Sequence, residues 1–385
     1  MSPADYGEGI LPSEIRSRTI EGVNGIEMHV LESGFEDGNR PLVLMLHGFP
    51  ELAYSWRKVM PAVAAAGYHV VAPDQRGYGG TTGWDGDYDG DLGSYRMLNL
   101  ARDALGLVFA LGYRSVAAVV GHDFGSPVAA WCALVRPDVF RSVVLMSAPF
   151  SGPPSLAVAG SGGGAATEGR AADDLHEALA ALDQPRKHYQ RYYGTREAND
   201  NMLLCPQGVH DFLRAYYHHK SADWAENRPF ALAARTAEEF AKMPTYYVMP
   251  ATLGMAETVA EEMPSPAEIE ACSWLRDEEL AVYASEFGRT GFQGGLQWYR
   301  ASGSTTYVPE QQLFAGRTID VPSMFLGGAS DWGVYQRPGG LEEMRDGACS
   351  DMRGVHLVEG AGHWVQQEQP EAVSRLLVEF LGTGD

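Results

Sequence analysis

Cysteine is scarce in this chain. Its 385 residues contain four, and Cys132, Cys205, Cys272 and Cys349 are far apart, with no CxxC pair and no metal-ligand spacing. The scarcity excludes a disulfide framework and a thiolate metal centre, and the four read as reduced thiols of a cytoplasmic protein. Long apolar runs are missing as well. No stretch approaches the ~20 apolar residues that span a bilayer, and residues 1–10 lack the basic start and apolar run of a signal peptide. Positive charge is in deficit: 29 Lys and Arg stand against 50 Asp and Glu, for a formal net charge of -21. That balance argues against nucleic acid or an anionic membrane surface as a partner, and reads as a solvated acidic surface. Lysine is rarer than arginine, which with abundant Ala and Gly suits a GC-rich bacterial genome.

What the chain does contain is a long alternation of strand and helix signals. Its length exceeds one minimal domain, so a core with an insertion is the first expectation. Residues 16–33 alternate apolar and polar around Asn24-Gly25, a hairpin signature. Residues 41–46 read as a buried strand, 56–66 as a helix, 69–72 as a second buried strand and 98–111 as a helix. Residues 115–120 and 141–146 are further strands, with a helix over 126–134 between them. This alternation predicts an α/β fold with a mostly parallel sheet flanked by helices. The regularity stops near Pro149. Residues 155–167 form a Gly-, Ala- and Ser-rich linker, and residues 175–300 read as helical and rich in Tyr and Met. Strands resume at 321–326 and 355–358, and an amphipathic helix over 370–381 closes the chain. The pattern divides the protein into a core, residues 1–150 and 319–385, and a helical cap, residues 151–318, inserted between two core strands.

Between the strand at 115–120 and the helix at 126–134 stand Gly121, His122, Asp123, Phe124 and Gly125. This is the strand, sharp turn and helix of a nucleophile elbow, with aspartate at the nucleophile's position. Glycines on both sides permit the tight turn, and small Ser126 lets the helix lie close to the strand. A carboxylate attacking an acyl carbon would make a reactive anhydride. It is better suited to displacement at a saturated carbon bearing a leaving group, which yields an alkyl ester of Asp123.

Open α/β sheets carry their sites at the carboxyl ends of the strands. The strand at 321–326 runs into a loop holding Asp331, and the strand at 355–358 into a loop holding His363. The order Asp123, Asp331, His363 is that of nucleophile, acid and histidine. The strand at 141–146 ends in Ser147-Ala148-Pro149-Phe150, which has no carboxylate, so Asp331 is the acid. His47-Gly48-Phe49-Pro50 follows the first buried strand, and the backbone N–H groups of Phe49 and Phe124 would form an oxyanion hole.

These residues resemble an epoxide hydrolase of the soluble type, within the α/β-hydrolase superfamily. The motifs at His47-Gly-Phe-Pro, Asp74-Gln-Arg-Gly-Tyr-Gly, Gly121-His-Asp-Phe-Gly, Ser330-Asp-Trp and Gly362-His-Trp match the family across both halves of the core. Phe124 departs from it where the family often has tryptophan. In the cap, residues 291–300 resemble the segment whose tyrosine, here Tyr299, hydrogen-bonds the epoxide oxygen. Residues 188–193 resemble the segment supplying the other tyrosine, best matched by Tyr189, with Tyr192 or Tyr193 as substitutes. The resemblance implies an α/β-hydrolase fold in which Asp123 attacks an epoxide carbon while two phenols hold the oxygen. His363, supported by Asp331, would then take a proton from the water that cleaves the ester, giving a vicinal diol. It also implies a small apolar epoxide bound beside Tyr189, Tyr299, Phe49 and Trp298, with no metal or organic cofactor. A homodimer is expected on the base rate alone.

Two rival functions differ from this one. A haloalkane or haloacid dehalogenase uses the same aspartate but must stabilise a departing halide, commonly with indole or amide N–H groups beside the elbow and after His-Gly. Phe124 and Phe49 occupy those positions, and their side chains donate nothing. A catalytically silent, ligand-binding α/β-hydrolase would have no need of Asp123, Asp331 and His363 together. One further motif, residues 85–91, Asp-Gly-Asp-Tyr-Asp-Gly-Asp, copies the first half of a calcium loop. Its twelfth position is Arg96 where a bidentate glutamate would stand, so it reads as a solvated acidic loop.

Overall fold

An antiparallel hairpin opens the computed structural model, which describes residue 9, residues 11–156 and residues 174–382. Strands β1 (Ile15–Val23) and β2 (Ile26–Ser33) pair around Asn24 and Gly25. Their φ angles of 49° and 81° form the left-handed pair that an Asn-Gly turn adopts. Strands β3 (Leu42–Leu46), β4 (His69–Pro73), β5 (Ala118–His122) and β6 (Val143–Met146) follow, with helices α1 (Met60–Ala65), α2 (Met97–Ala110) and α3 (Gly125–Val135) after β3, β4 and β5. Every residue of β3 to β6 is buried, as strands covered on both faces must be. Two short strands, β7 (Arg186–His188) and β8 (Val248–Pro250), pair only with each other, and β9 (Ser323–Gly328) and β10 (Met352–Val358) complete the main sheet.

That sheet has eight strands in the order β1-β2-β4-β3-β5-β6-β9-β10. It is antiparallel at β1/β2 and β2/β4 and parallel at every other pairing. Parallel strands deliver their following loops to one edge of the sheet. Phe49, Asp123, Ser147, Asp331 and His363 all stand in loops at that edge, after β3, β5, β6, β9 and β10.

Two features differ from the sequence pattern. The helix expected over 56–66 starts only at Met60, because Ala53–Trp56 forms a tighter 3-10 turn whose Tyr54 and Trp56 are fully buried. Pro61 falls in the first turn of α1, where a missing N–H costs nothing. The stretch over 175–300 is mainly helical, yet β7 and β8 interrupt it as an antiparallel pair. Strands of three residues are too short to show an alternating period. The linker read at 155–167 lies, apart from Ser155 and Leu156, outside the described residues.

The helices between β6 and β9 rest on the functional edge of the sheet. Tyr217 donates its hydroxyl hydrogen to the Pro50 carbonyl at 2.9 Å, and Trp298 Nε1 donates to the Arg76 carbonyl at 2.9 Å. The closest approach is backbone on backbone: a Cβ on Gly294 would lie 2.1 Å from the oxygen of Gly77. Only glycine lets helix Gln293–Ser302 sit so low. Among the described residues, no helix is long and apolar enough to cross a membrane.

Gly294→Ala should therefore push this helix off the sheet edge and lower stability by ~1–3 kcal/mol, the usual range for overpacking. Urea unfolding checks this, and an unchanged midpoint would show that the contact yields freely.

Candidate active site

Asp123 has a φ of 50°, a left-handed conformation that costs a residue with a Cβ ~1–2 kcal/mol. The turn around it supplies the restraint. Asp123 N donates to Met146 O at 3.2 Å, and Ser126 N donates to Asp123 O at 3.0 Å. The flanking glycines are sterically required, since a Cβ on Gly121 would lie 2.1 Å from Gly125 O, and one on Gly125 would lie 2.4 Å from Leu46 O.

This strain aims the carboxylate at the ends of the neighbouring strands. Phe49 N donates to Asp123 Oδ1 at 2.9 Å. His363 Nε2 lies 3.2 Å from Asp123 Oδ2, off the line of a directed hydrogen bond. On the far side of the ring, Nδ1 meets Asp331 Oδ1 at 3.0 Å. Asp331 is fixed in turn by Gly333 N at 2.7 Å and by the Ser147 hydroxyl. With Nδ1 held by Asp331, the ring is fixed so that Nε2 faces Asp123. The structure thus brings Asp123, Asp331, His363 and the Phe49 amide together, and Phe124 begins α3 directly after the nucleophile.

Burial pushes the Asp123 carboxyl up, but the close approach of His363, with Lys220 and His122 behind it, outweighs burial and holds the group below its ordinary value. Asp331 is likewise lowered: burial opposes ionisation, and His363, Ser147 and the Gly333 amide overcome it. Both carboxylates are therefore charged in the resting site.

The two expected phenols face this pair. Tyr299 packs its ring edge-on against Phe124 at 5.0 Å and Phe49 at 5.6 Å, and its hydroxyl has no hydrogen-bond partner among the described residues. The Tyr189 ring lies 6.0 Å from that of Tyr299. Its hydroxyl donates to Gln336 Oε1 at 3.1 Å and accepts from Gln190 Nε2 at 3.2 Å. Burial, reinforced by the Asp123 charge, raises both phenols well above their ordinary value, so both stay protonated. Tyr193 hydrogen-bonds Tyr216 at 3.1 Å, with its ring between Phe49 and Tyr299. Tyr192 lies under the Lys187 ammonium, 4.5 Å from its ring centroid. Trp298 is buried with its N–H on Arg76 O and its ring against Phe124.

A family profile described as alpha/beta hydrolase fold matches residues 41–370. Epoxide hydrolase B of Mycobacterium tuberculosis is 32% identical over 366 residues, which cover 94% of this chain and 97% of that protein. The chain belongs to the epoxide hydrolase family of the α/β-hydrolase fold. Solved structures agree: an epoxide hydrolase from an endophytic Streptomyces has a TM-score of 0.75 at 30% identity, covering 96% of each chain. Epoxide Hydrolase A from Mycobacterium thermoresistibile has a TM-score of 0.74 at 33% identity, covering 96% of this chain and 98% of that one.

Several residues of this epoxide hydrolase site carry no motif in the sequence. Ser147, itself at φ 65°, binds Asp331 from a strand end that lacks a carboxylate. His122 directs Nδ1 to Glu51 Oε2 at 2.6 Å and Nε2 to the His363 carbonyl at 2.7 Å. Two acceptors facing two ring nitrogens require two N–H groups, so His122 is an imidazolium paired with the Glu51 carboxylate. Burial disfavours charge on both, and their mutual attraction prevails, raising His122 and lowering Glu51. Lys220 is 2% exposed, with its ammonium 5.0 Å from the Tyr247 ring centroid and 5.3 Å from that of Trp364. Glu368 accepts from Ala222 N at 2.8 Å, Gly362 N at 2.9 Å and Trp364 N at 2.9 Å. It thereby holds the His363 loop against the end of helix Gly208–Lys220.

The acidic loop at 85–91 is exposed, and two of its four carboxylates bond its own backbone. Asp85 accepts the N–H groups of Asp87 at 2.9 Å and Asp91 at 3.0 Å, and Asp87 accepts that of Asp89 at 2.9 Å. Among the described residues no group of His, Cys, Asp and Glu side chains is arranged to hold a metal ion. The melting temperature should therefore be the same in millimolar calcium and in chelator, and a rise with calcium would contradict this assignment.

Burial pushes Glu368 up to about 8 from an ordinary 4.5, against the three amides that lower it. Between those values the folded protein holds a proton that the unfolded chain has released. Stability accordingly falls as pH rises through this window, by up to ~1.4 kcal/mol per pH unit for one proton. Glu368→Gln should remove that component. Urea unfolding at pH 5.5 and 7.5 would show the variant gaining on the wild type at the higher pH, and parallel pH dependences would refute the shift.

Proposed function

We propose that this protein hydrolyses an epoxide to a vicinal diol through an alkyl ester on Asp123. In this reading residues 1–150 and 319–385 are the catalytic core and residues 151–318 the cap. The observation that carries it is the placement of a charged Asp123 between the His363–Asp331 pair and two protonated phenols, Tyr299 and Tyr189. Phe49 and Phe124 pack their rings against Tyr299, and Trp298 packs against Phe124, so the surroundings of the phenol are apolar, which suits an apolar epoxide.

Asp123 Oδ2 attacks a ring carbon, the C–O bond of the epoxide breaks, and the alkoxide takes a hydrogen bond and then a proton from the phenols. Oδ1, already held by the Phe49 amide, becomes the ester carbonyl oxygen. His363 Nε2 then removes a proton from water, and the resulting hydroxide attacks Asp123 Cγ. The oxyanion at Oδ1 is stabilised by the Phe49 and Phe124 amides, each such donor contributing ~3 kcal/mol. Collapse breaks the Cγ–Oδ2 bond: the departing alkoxide at Oδ2 takes the proton of the newly added hydroxyl and leaves as the diol, the water oxygen stays on Asp123 as part of its carboxylate, and the proton held by His363 passes back to the phenolate. Asp331 carries the charge that supports the His363 imidazolium. Every group required is a side chain or amide, so the reaction calls for no metal or organic cofactor. The unpaired cysteines and acidic surface fit a cytoplasmic bacterial enzyme.

A dehalogenase would need side-chain donors for the halide. Phe49 and Phe124 offer none, and the Trp298 N–H is engaged by Arg76 O. Halide release from chloroacetate without diol formation from styrene oxide would reverse this choice.

His363→Gln mixed with styrene oxide should gain one substrate mass, located on Asp123 by peptide mapping. No adduct across a broad epoxide panel would refute the mechanism and favour a silent binding protein. Tyr299→Phe should fold normally and slow ester formation by ~10²-fold or more, measured by quenched single turnover. Wild-type kinetics in that variant would remove Tyr299 from the reaction.

A further inference from the structure

The loop at 85–91 has a role at the cap that its calcium-like pattern does not suggest. It is a rigid turn. Its carboxylates cap its own backbone, a Cβ on Gly90 would lie 2.0 Å from Asp85 Oδ2, and Tyr95 donates its hydroxyl hydrogen to Asp85 O at 2.5 Å from the core beneath. From this base the half-buried Tyr88 projects between the two cap segments that carry Tyr189 and Tyr299.

The Tyr88 ring lies between two guanidinium groups, with Arg300 Cζ 3.5 Å and Arg196 Cζ 4.3 Å from its centroid. Its hydroxyl donates to Gly194 O at 2.9 Å, at the end of helix Tyr189–Tyr193. Its carbonyl accepts from Arg300 Nη1, and the adjacent Asp87 carbonyl accepts from Gln297 Nε2 at 2.8 Å. Arg300 and Gln297 flank Trp298 and Tyr299 on helix Gln293–Ser302. The Arg196–Asp89 ion pair beside them is 63% and 68% exposed, and such a pair contributes little. Stacking and the backbone hydrogen bonds are what join the segments.

We infer that Tyr88 is a positioning residue, holding the Tyr189 and Tyr299 segments of the cap at a fixed spacing over Asp123. This rests on the proposed alkyl-ester mechanism and deepens it. The two phenols act only while the epoxide opens. The groups that cleave the ester, His363 and Asp331, stand on core loops after β10 and β9, and no contact joins either to Tyr88. Loss of Tyr88 therefore impairs the first half-reaction and spares the second.

The two halves are separable by single turnover with styrene oxide, quenching and intact-protein mass. Tyr88→Ala should lower the rate of ester formation by ~10-fold or more, since a displacement of about 1 Å costs up to ~10²-fold, while ester decay stays within about 2-fold of wild type. Tyr88→Phe keeps the stack and loses only the Gly194 hydrogen bond, so its formation rate should fall between the two. Arg300→Lys keeps the charge but not the planar stack, and should slow formation with decay unchanged. Unchanged ester formation in Tyr88→Ala, or formation and decay slowed by the same factor in all three variants, would overturn the inference. Absence of any Asp123 ester in the His363→Gln protein would overturn the mechanism as well as the role of Tyr88.

Discussion

Asp123 can point its carboxylate out of the sheet only because the chain turns left-handed immediately after β5, and that turn closes only because α3 starts in contact with β3. Gly125 lies against the Leu46 carbonyl, so the end of β3 is brought to the nucleophile, and with it the Phe49 amide. Register then carries the constraint across the sheet. Leu46 pairs with Gly121, His122 with Met146, Met146 with Leu326, and Gly328 with Val358. The strands end level with one another, so five separate loops converge on one site: Phe49 N and His363 Nε2 reach the Asp123 carboxylate, and Asp331 and Ser147 stand behind His363. A side chain larger than hydrogen at Gly121 or Gly125 would disturb this whole arrangement as well as the turn.

Such convergence buries an unusual amount of charge. Glu51, Asp123 and Asp331 are out of solvent, with His122, Lys220 and His363 among them, and Glu368 is half-buried beside them. Isolated burial of any one would cost several kcal/mol, and each is compensated differently. Glu51 has an imidazolium, Asp331 has His363 with a hydroxyl and an amide, and Glu368 has only amides. That difference explains why Glu368 alone of these carboxylates is driven toward the protonated form, whereas Glu51, Asp123 and Asp331 are held ionised. Lys220 has aromatic faces in place of a carboxylate, and burial pulls its amine below the ordinary value against the charges of Asp123, Asp331 and Glu51.

The parts of this arrangement that were legible in the sequence are those with a local signature. The strand, turn and helix around Asp123 follow from apolar runs and flanking glycines, and Asp331 and His363 follow from their positions after strands. The hairpin at Asn24-Gly25 is visible because only certain residues accept two successive left-handed conformations. What escaped was non-local. Ser147, Glu368, Gln336 and Lys220 act through partners far away in the chain, and no spacing in the sequence reports a serine after β6 meeting an aspartate after β9. The 85–91 loop was legible as a solvated acidic loop from Arg96 at its twelfth position, and its aspartates are exposed; what no local pattern reports is that Tyr88 is engaged by the helices between β6 and β9.

Burial acts in opposite directions on the two reacting partners, and the insert is what makes this useful. Removing Tyr299 and Tyr189 from water raises the phenols and keeps their protons in place, as the proposed mechanism requires. The same enclosure would protonate Asp123 as well, were it not for His363 beside it. A site that must hold a carboxylate charged and a phenol neutral a few ångströms apart needs the core's charges on one side and the insert's rings on the other. The point of insertion meets that need. Ser147 stands where the chain leaves the sheet after β6, Asp331 stands just after it returns through β9, and the hydrogen bond between them closes the base of the insert directly under His363. Departure of the helical segment from the sheet and support of His363 are therefore one structural event, and a change at this base, unlike one at the separate Tyr88 contacts, would disturb the acid–histidine pair before it disturbed the sheet.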